Sequence, residues 1–297
     1  MKKWKFIGLI ILLVLITSTT IYAVTTLYDA VEVEYDNSNS GTEETDVQGA
    51  LDELYELSKN HCPDGYVCKS SMMGESEVQN ANSPFLNGPI TRGTIESVRI
   101  SNTKAVPGTV LGSWDVSESQ NESVIAYYSD NDGDGLYEVV IGGEGGVSAP
   151  SDCRQLFNGL TNVTSFNLMY FDTSSVTNMS YMFSNCSSLE TLDLSSFDTS
   201  KVELMNDMFV YCNKLVSLDL SSFETTSLVS ANYMFHDNRN LTNLDIRNMT
   251  FDSVSSYTNM LYGVKSGVNI IVKNSASKTF IEARLRDAGG TGNVVIA

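Results

Sequence analysis

The string "MFSNCSSLETLDLSSFDTS" from Met182 returns as "MFVYCNKLVSLDLSSFETT" from Met208 and as "MFHDNRNLTNLDIRNMTFD" from Met234. The starts are 26 residues apart, and the same step reaches a worn copy at Met260 and an earlier one at Leu156. Five passes with no insertion or deletion constrain the fold more than any other feature, because a unit this short cannot bury its apolar side chains alone. Stacked on its neighbours it can, and each apolar position then becomes a column running through a shared core.

The columns are legible. Val163, Leu189, Leu215 and Leu241 align, as do Phe166, Leu192, Leu218, Leu244 and Ile270. Leu168, Leu194, Leu220, Ile246 and Val272 follow two residues on, then Phe171, Phe197, Phe223 and Met249, and finally Val176, Val202, Leu228 and Val254. L-x-x-L-x-L is the strand pattern of leucine-rich repeats, with alternate side chains inward. The expected fold is therefore a leucine-rich-repeat-like right-handed solenoid of about five 26-residue coils over residues 151–274. "VTNMSYMF" reads as a short helical turn between strands. Cys186 and Cys212 occupy equivalent places and read as core fillers, with a disulfide between neighbouring coils as the other reading.

Period-two alternation in "TIESVRI", "SVIAYYS" and "LYEVVI" predicts a small β domain over 89–150, ahead of the repeats. Behind them, "NSASKTFIEARLRDAG" predicts an amphipathic helix with Ser275 or Ser277 as its N-cap and a cap function over 275–297. Residues 25–88 read as a polar linker holding a helix at 46–59, started by Thr45 with Gln48 as a capping box. "MKKWK" followed by an apolar run reads as a signal peptide or an N-terminal membrane anchor over 1–24, with Ala23 as a cleavage position. Either places the chain on the extracellular side, secreted or membrane-anchored. There Cys62 and Cys68, flanking a Pro-Asp-Gly turn, could form a disulfide or remain free.

The chain carries 36 acidic against 18 basic residues, a formal charge of −18, and three of the basic ones are Lys2, Lys3 and Lys5. That balance argues against a nucleic-acid partner. Motif patterns of nucleophilic, zinc or nucleotide chemistry do not occur, so a non-enzyme is expected. Two acidic features are candidate sites. Asp130, Asp132 and Asp134 before Gly135 match the first half of a calcium loop, but Ile141 stands where the bidentate Glu belongs. The loop is an acidic hairpin turn or a weak Ca²⁺ site, and no other cofactor is expected. Asp193, Asp219 and Asp245, with Asn167 ahead of them, fall between inward residues and should form an acidic strip on the sheet face. Such a strip would meet a basic partner, or would serve the repeat through local hydrogen bonds.

"MFSNCSSLETLDLSSFDTS" resembles the repeat of BspA-like leucine-rich-repeat surface proteins, and "GSWDVSESQNESVIAYYSDNDGDGLYEVVIGGEGGV" is similar to the segment that precedes such repeats. The resemblance implies a secreted or surface-attached interaction protein of the adhesin type, whose partner is a host or bacterial surface protein. The alternative is a structural spacer or fibre subunit that self-associates through residues 46–59.

Overall fold

The computed structural model describes residues 69–75 and 79–297, and the compact unit spans Lys69–Ala297. The leader or anchor, the helix at 46–59, and Cys62 with Cys68 lie outside the described residues.

Among the described residues twelve short strands form three sheets. The largest is mixed and contains β2 (Ile95–Ser101), β3 (Gly112–Asp115), β4 (Val124–Ser129), β5 (Tyr137–Gly143) and β7 (Ser165–Asn167), in the order β3-β4-β5-β2-β7. The "DNDGDG" turn joins β4 to β5 as an antiparallel hairpin, while β2 runs parallel to both β5 and β7. β1 (Ser70–Ser71), β6 (Val147–Ser148) and β8 (Phe171–Asp172) make a small parallel sheet. The third sheet is parallel too, in the order β12-β11-β10-β9, from β9 (Ser217–Asp219), β10 (Asn243–Ile246), β11 (Val268–Val272) and β12 (Gly292–Ile296). α1 (Ser275–Asp287) is the single α-helix among the described residues.

This corrects the expected right-handed leucine-rich-repeat-like solenoid with a separate β domain before it and a helical cap behind. The structure has one mixed and two parallel sheets instead. β7, from the first repeat, adds to β2, with Phe166 opposite Val98, so the supposed β domain and the repeats share a sheet. Thr191–Asp193, the counterpart of β7 and β9, is not a strand, and the strand column is interrupted there. Behind α1 the chain returns as β12 and pairs with β11, so the helix is followed by a further strand. The physical reason is that L-x-x-L-x-L reports which side chains are buried. Burial at alternate positions does not require a backbone ladder on both sides.

The copies are nevertheless held side by side, through their turns. Asp152, Asn178, Leu204, Ser230 and Ser256 pair in series as parallel bridges at the 26-residue step. From the second copy, Met179, Tyr181, Phe183 and Asn185 donate N–H groups to Leu204, Asn206, Met208 and Val210 carbonyls at 2.8, 2.8, 3.0 and 2.8 Å. "VTNMSYMF" is therefore no helix: its donors point to the next copy rather than along a helix axis. Two residues per copy take the left-handed conformation, among them Tyr181 (φ 60°), Asp207 (φ 54°), Tyr233 (φ 54°), Asn185 (φ 59°) and Tyr211 (φ 61°). Such backbone costs of order 1–3 kcal/mol per non-glycine residue and persists only where the surroundings demand it. At Gly263 (φ 75°) they demand glycine, because a Cβ would stand 2.2 Å from Asp237 Oδ1.

Inside, nearly every column position is buried, with Leu192 partly so. Phe183, Phe209 and Phe235 stack with centroids 5.9 and 5.8 Å apart and planes within 1° and 4° of parallel. Cys186 and Cys212 are free thiols that bond the preceding copy, Sγ donating to the Phe157 and Phe183 carbonyls at 3.2 and 3.1 Å. At the equivalent place Asn238 donates its amide to the Phe209 carbonyl at 2.8 Å, while Leu160 and Val264, in the first and last copies, fill the position without a donor. Burial pushes the Cys186 thiol up to about 12 and raises Cys153 and Cys212 as well. Iodoacetamide should therefore leave Cys153, Cys186 and Cys212 unmodified in the native chain and label all three in urea. Peptide mass spectrometry checks this, and native labelling of Cys212 would contradict the buried assignment.

The first copy has no predecessor to donate to its carbonyls, and a buried arginine takes that place. Arg92 is fully buried; its Nη1 donates to the Leu156 and Asn158 carbonyls at 3.0 and 2.9 Å, and its Nη2 pairs with Glu75. At the other end α1 is capped by Asn274, not Ser275 or Ser277, its side chain accepting from Ser277 N at 2.9 Å. Ile281 and Leu285 bury its inner face, and Phe280 stacks on Phe251 at 4.7 Å.

Candidate functional site

At and beside the left-handed turns the copies stop being alike. One column reads Tyr181, Asp207, Tyr233, and a neighbouring one reads Ser184, Val210, His236, Tyr262. All of these except Tyr262 line, with Asn185, Tyr211 and Arg154, an open groove of about 720 Å³. Tyr181 and Tyr211 remain exposed although their backbones are held by bonds to the next copy. His236 is half-buried among tyrosines, 5.9 Å from Tyr211, 5.4 Å from Tyr233 and 5.2 Å from Tyr262, on which it stacks. Its Nδ1 lies 3.5 Å from Asp237 Oδ2, and Arg239 bonds the same carboxylate at 3.1 Å.

Asp207 stands at the centre. Burial pushes its carboxyl above the ordinary value, opposed by a hydrogen bond from the Tyr181 hydroxyl and by His236. The Tyr181 hydroxyl is raised in turn, first by burial and then by Asp207. A half-buried carboxylate in a groove that tyrosines line can hold a cation, or orient a polar ligand.

The acidic strip looks different in place than on paper. Asp219 and Asp245 stand opposite each other on β9 and β10, but Asn167 belongs to another sheet and Asp193 lies in the segment that forms no strand. Beyond Asp245 the row continues as Ile271 and Val295, so it is not an acidic ladder. Each residue accepts from the backbone N–H two positions on: Asn167 from Met169 at 3.4 Å, Asp193 from Ser195 at 2.9 Å, Asp219 from Ser221 at 2.8 Å and Asp245 from Arg247 at 3.1 Å. Arg247 also pairs with Asp245 through its guanidinium. Hydrogen bonds from Ser195 hold the Asp193 carboxyl below the usual carboxylate range, and Arg247 does the same for Asp245.

Changing Asp193, Asp219 and Asp245 together to Asn should cost at most about 0.5 kcal/mol per position, since Asn keeps the Oδ1 acceptor. A lowered carboxyl value stabilises the fold above the unfolded value of about 3.9 and loses that contribution as pH falls through the folded one. The gap between wild type and variant should therefore close in acid. Melting curves at pH 7 and pH 2.5 check both statements.

In the hairpin, Asp130 accepts from Gly133 N at 2.7 Å and Gly135 N at 3.2 Å, and Asp134 accepts from Leu136 N at 2.8 Å. The structure adds Glu96, from β2, whose carboxylate lies with those of Asp132 and Asp134 within 4.8 Å. Glu96 is raised by burial first and then by these neighbours. The sequence pattern could not show Glu96, because β2 meets the loop only through the β2–β5 pairing. The groove is illegible for a different reason: His236 and its equivalents Ser184 and Val210 differ in chemistry, so that column carries no periodic signal. The signal was there in tyrosines recurring at the turn positions.

Fold and groove together define a β-rich repeat protein with an aromatic surface groove that holds one carboxylate, Asp207, and one guanidinium, Arg154. A family described as "Mycoplasma protein of unknown function, DUF285" matches residues 151–273, which is the repeat region and less than half of the chain. Neither a curated protein nor a solved structure matches.

Proposed function

We propose that the chain is a non-enzymatic protein–protein interaction module of the adhesin type, secreted or membrane-anchored on the extracellular side, that meets a host or bacterial surface protein through the groove. The observation that carries this reading is the pair of groove-lining tyrosines exposed on hydrogen-bonded turns, Tyr181 and Tyr211. Tyrosine supplies large, rigid, amphipathic contact area at low entropy cost and is enriched at interfaces. The buried thiols, held protonated, are poor nucleophiles, so the chemistry favours binding over catalysis.

Full-length protein carrying Tyr181→Ala, Tyr211→Ala and Tyr233→Ala should fail to retain surface proteins that wild type retains, with melting preserved. Equal retention by wild type and variant would favour a structural spacer or fibre subunit, a role consistent with aspartates that all bond their own turns. The location is checked separately: residues 1–30 fused to a reporter active only after export should give signal.

A further inference from the structure

We propose that the groove recognises a lysine or arginine side chain of a basic partner segment, seated at Asp207 between Tyr181 and Tyr233. The inference rests on the interaction reading above and names its chemistry. Tyr181, Asp207 and Tyr233 occupy the same turn position in three successive copies. Adjacent copies are joined by backbone bonds at this point, Tyr181 N to the Asn206 carbonyl and Asp207 N to the Asn232 carbonyl, both at 2.8 Å. The carboxylate is thereby flanked by an aromatic residue on each side, at roughly the 4.8 Å spacing of paired backbones.

The basic side chains nearby are committed elsewhere. Arg154 pairs with Asp152 at 3.3 Å and Arg239 with Asp237 at 3.1 Å. Asp207 accepts from the Tyr181 hydroxyl and lies near His236, and among the described residues no lysine or arginine pairs with it. A cationic side chain would compensate the carboxylate and face the electron-rich rings of Tyr181, Tyr211 and Tyr233 at once. An anionic ligand would be repelled by Asp207, and a neutral sugar would use the rings without needing the charge. The formal charge of −18 also draws basic segments toward the molecule.

The test titrates full-length protein with a hexalysine peptide, its fully Nε-acetylated counterpart and a neutral chito-oligosaccharide, by calorimetry. Hexalysine should bind, and Asp207→Asn should weaken it by about tenfold, the loss expected when a charge pair is removed. Asn tolerates the left-handed backbone, so this variant should fold as wild type does. Asp219→Asn, which removes a carboxylate away from the groove, should leave binding unchanged. The inference is overturned if the acetylated peptide or the sugar binds as well as hexalysine, if Asp207→Asn has no effect, or if Asp219→Asn weakens binding equally. A protein partner that Asp207→Asn retains but the tyrosine variant loses would overturn the cation site and leave the interaction reading standing.

Discussion

Replacing Arg92 with Met should lower the unfolding free energy by about 3–5 kcal/mol, the range seen when one partner of a buried ion pair is removed. The guanidinium is fully buried, and the carboxylate it pairs with, Glu75, is buried as well. Glu75 keeps one other partner, the Leu86 N–H at 2.9 Å. The Met side chain fills the space but leaves Glu75 unpaired and strips donors from the carbonyls of Leu156 and Asn158. Burial already raises the Glu75 carboxyl above its ordinary value, with Arg92 opposing it. Without Arg92 the value rises further. For an acid whose folded value is raised, the penalty is absent below the unfolded value of about 4.3 and grows as pH climbs through it. The Met variant should therefore show a smaller deficit at pH 4 than at pH 7.5 in urea unfolding. Glu75→Gln with Arg92 retained should also be destabilising: the amide oxygen can still accept, but the buried guanidinium loses its counter-ion and cannot deprotonate. A deficit under about 1 kcal/mol at pH 7.5 would mean that the first copy does not depend on this cap.

Phe209→Ala should cost a similar amount, about 3–5 kcal/mol, for a different reason. Phe209 is fully buried and stacks on Phe183 and Phe235 at 5.9 and 5.8 Å, so its removal opens a cavity bordered by two rings that cannot both move in. With each kcal/mol worth about 2–4 °C in a domain of this size, Tm should fall by on the order of 10 °C. Phe209→Leu keeps most of the volume and should cost roughly 1 kcal/mol. Calorimetry of the two variants separates volume from ring stacking. Equal losses would assign the whole effect to the stacked rings.

Much of the interior was legible because burial follows local chemistry. A strict 26-residue step with apolar residues in phase admits one economical arrangement, copies side by side with their columns buried, and the bridges from Asp152 to Ser256 have that step. The hairpin around "DNDGDG" and the helix at Ser275–Asp287 were legible too, since turn chemistry and a 3.6-residue period act within a few neighbouring residues. Strand pairing was not. Whether Phe166 sits beside Val98 or beside the next copy depends on which edge is free once the chain has collapsed, and nothing in "SFNL" or "TLDL" encodes that choice.

The site divides in the same way. By itself the sequence determined that aspartates recur on outward positions, and it left open whether they bind or serve the fold. The tertiary structure showed each one tied to its own turn, with Arg247 folded onto Asp245. It also decided which residues become a site. Tyr181, Asp207 and Tyr233 are 26 residues apart in the chain and meet, with His236 beside Tyr233, only because the copies stack with their left-handed turns in register. Glu96 and the Arg92–Glu75 pair are likewise products of long-range packing. Periodicity carries information about what is inside, because the hydrophobic effect acts on composition. Which polar groups face one another depends on register and backbone handedness, and those are set only when the whole chain closes.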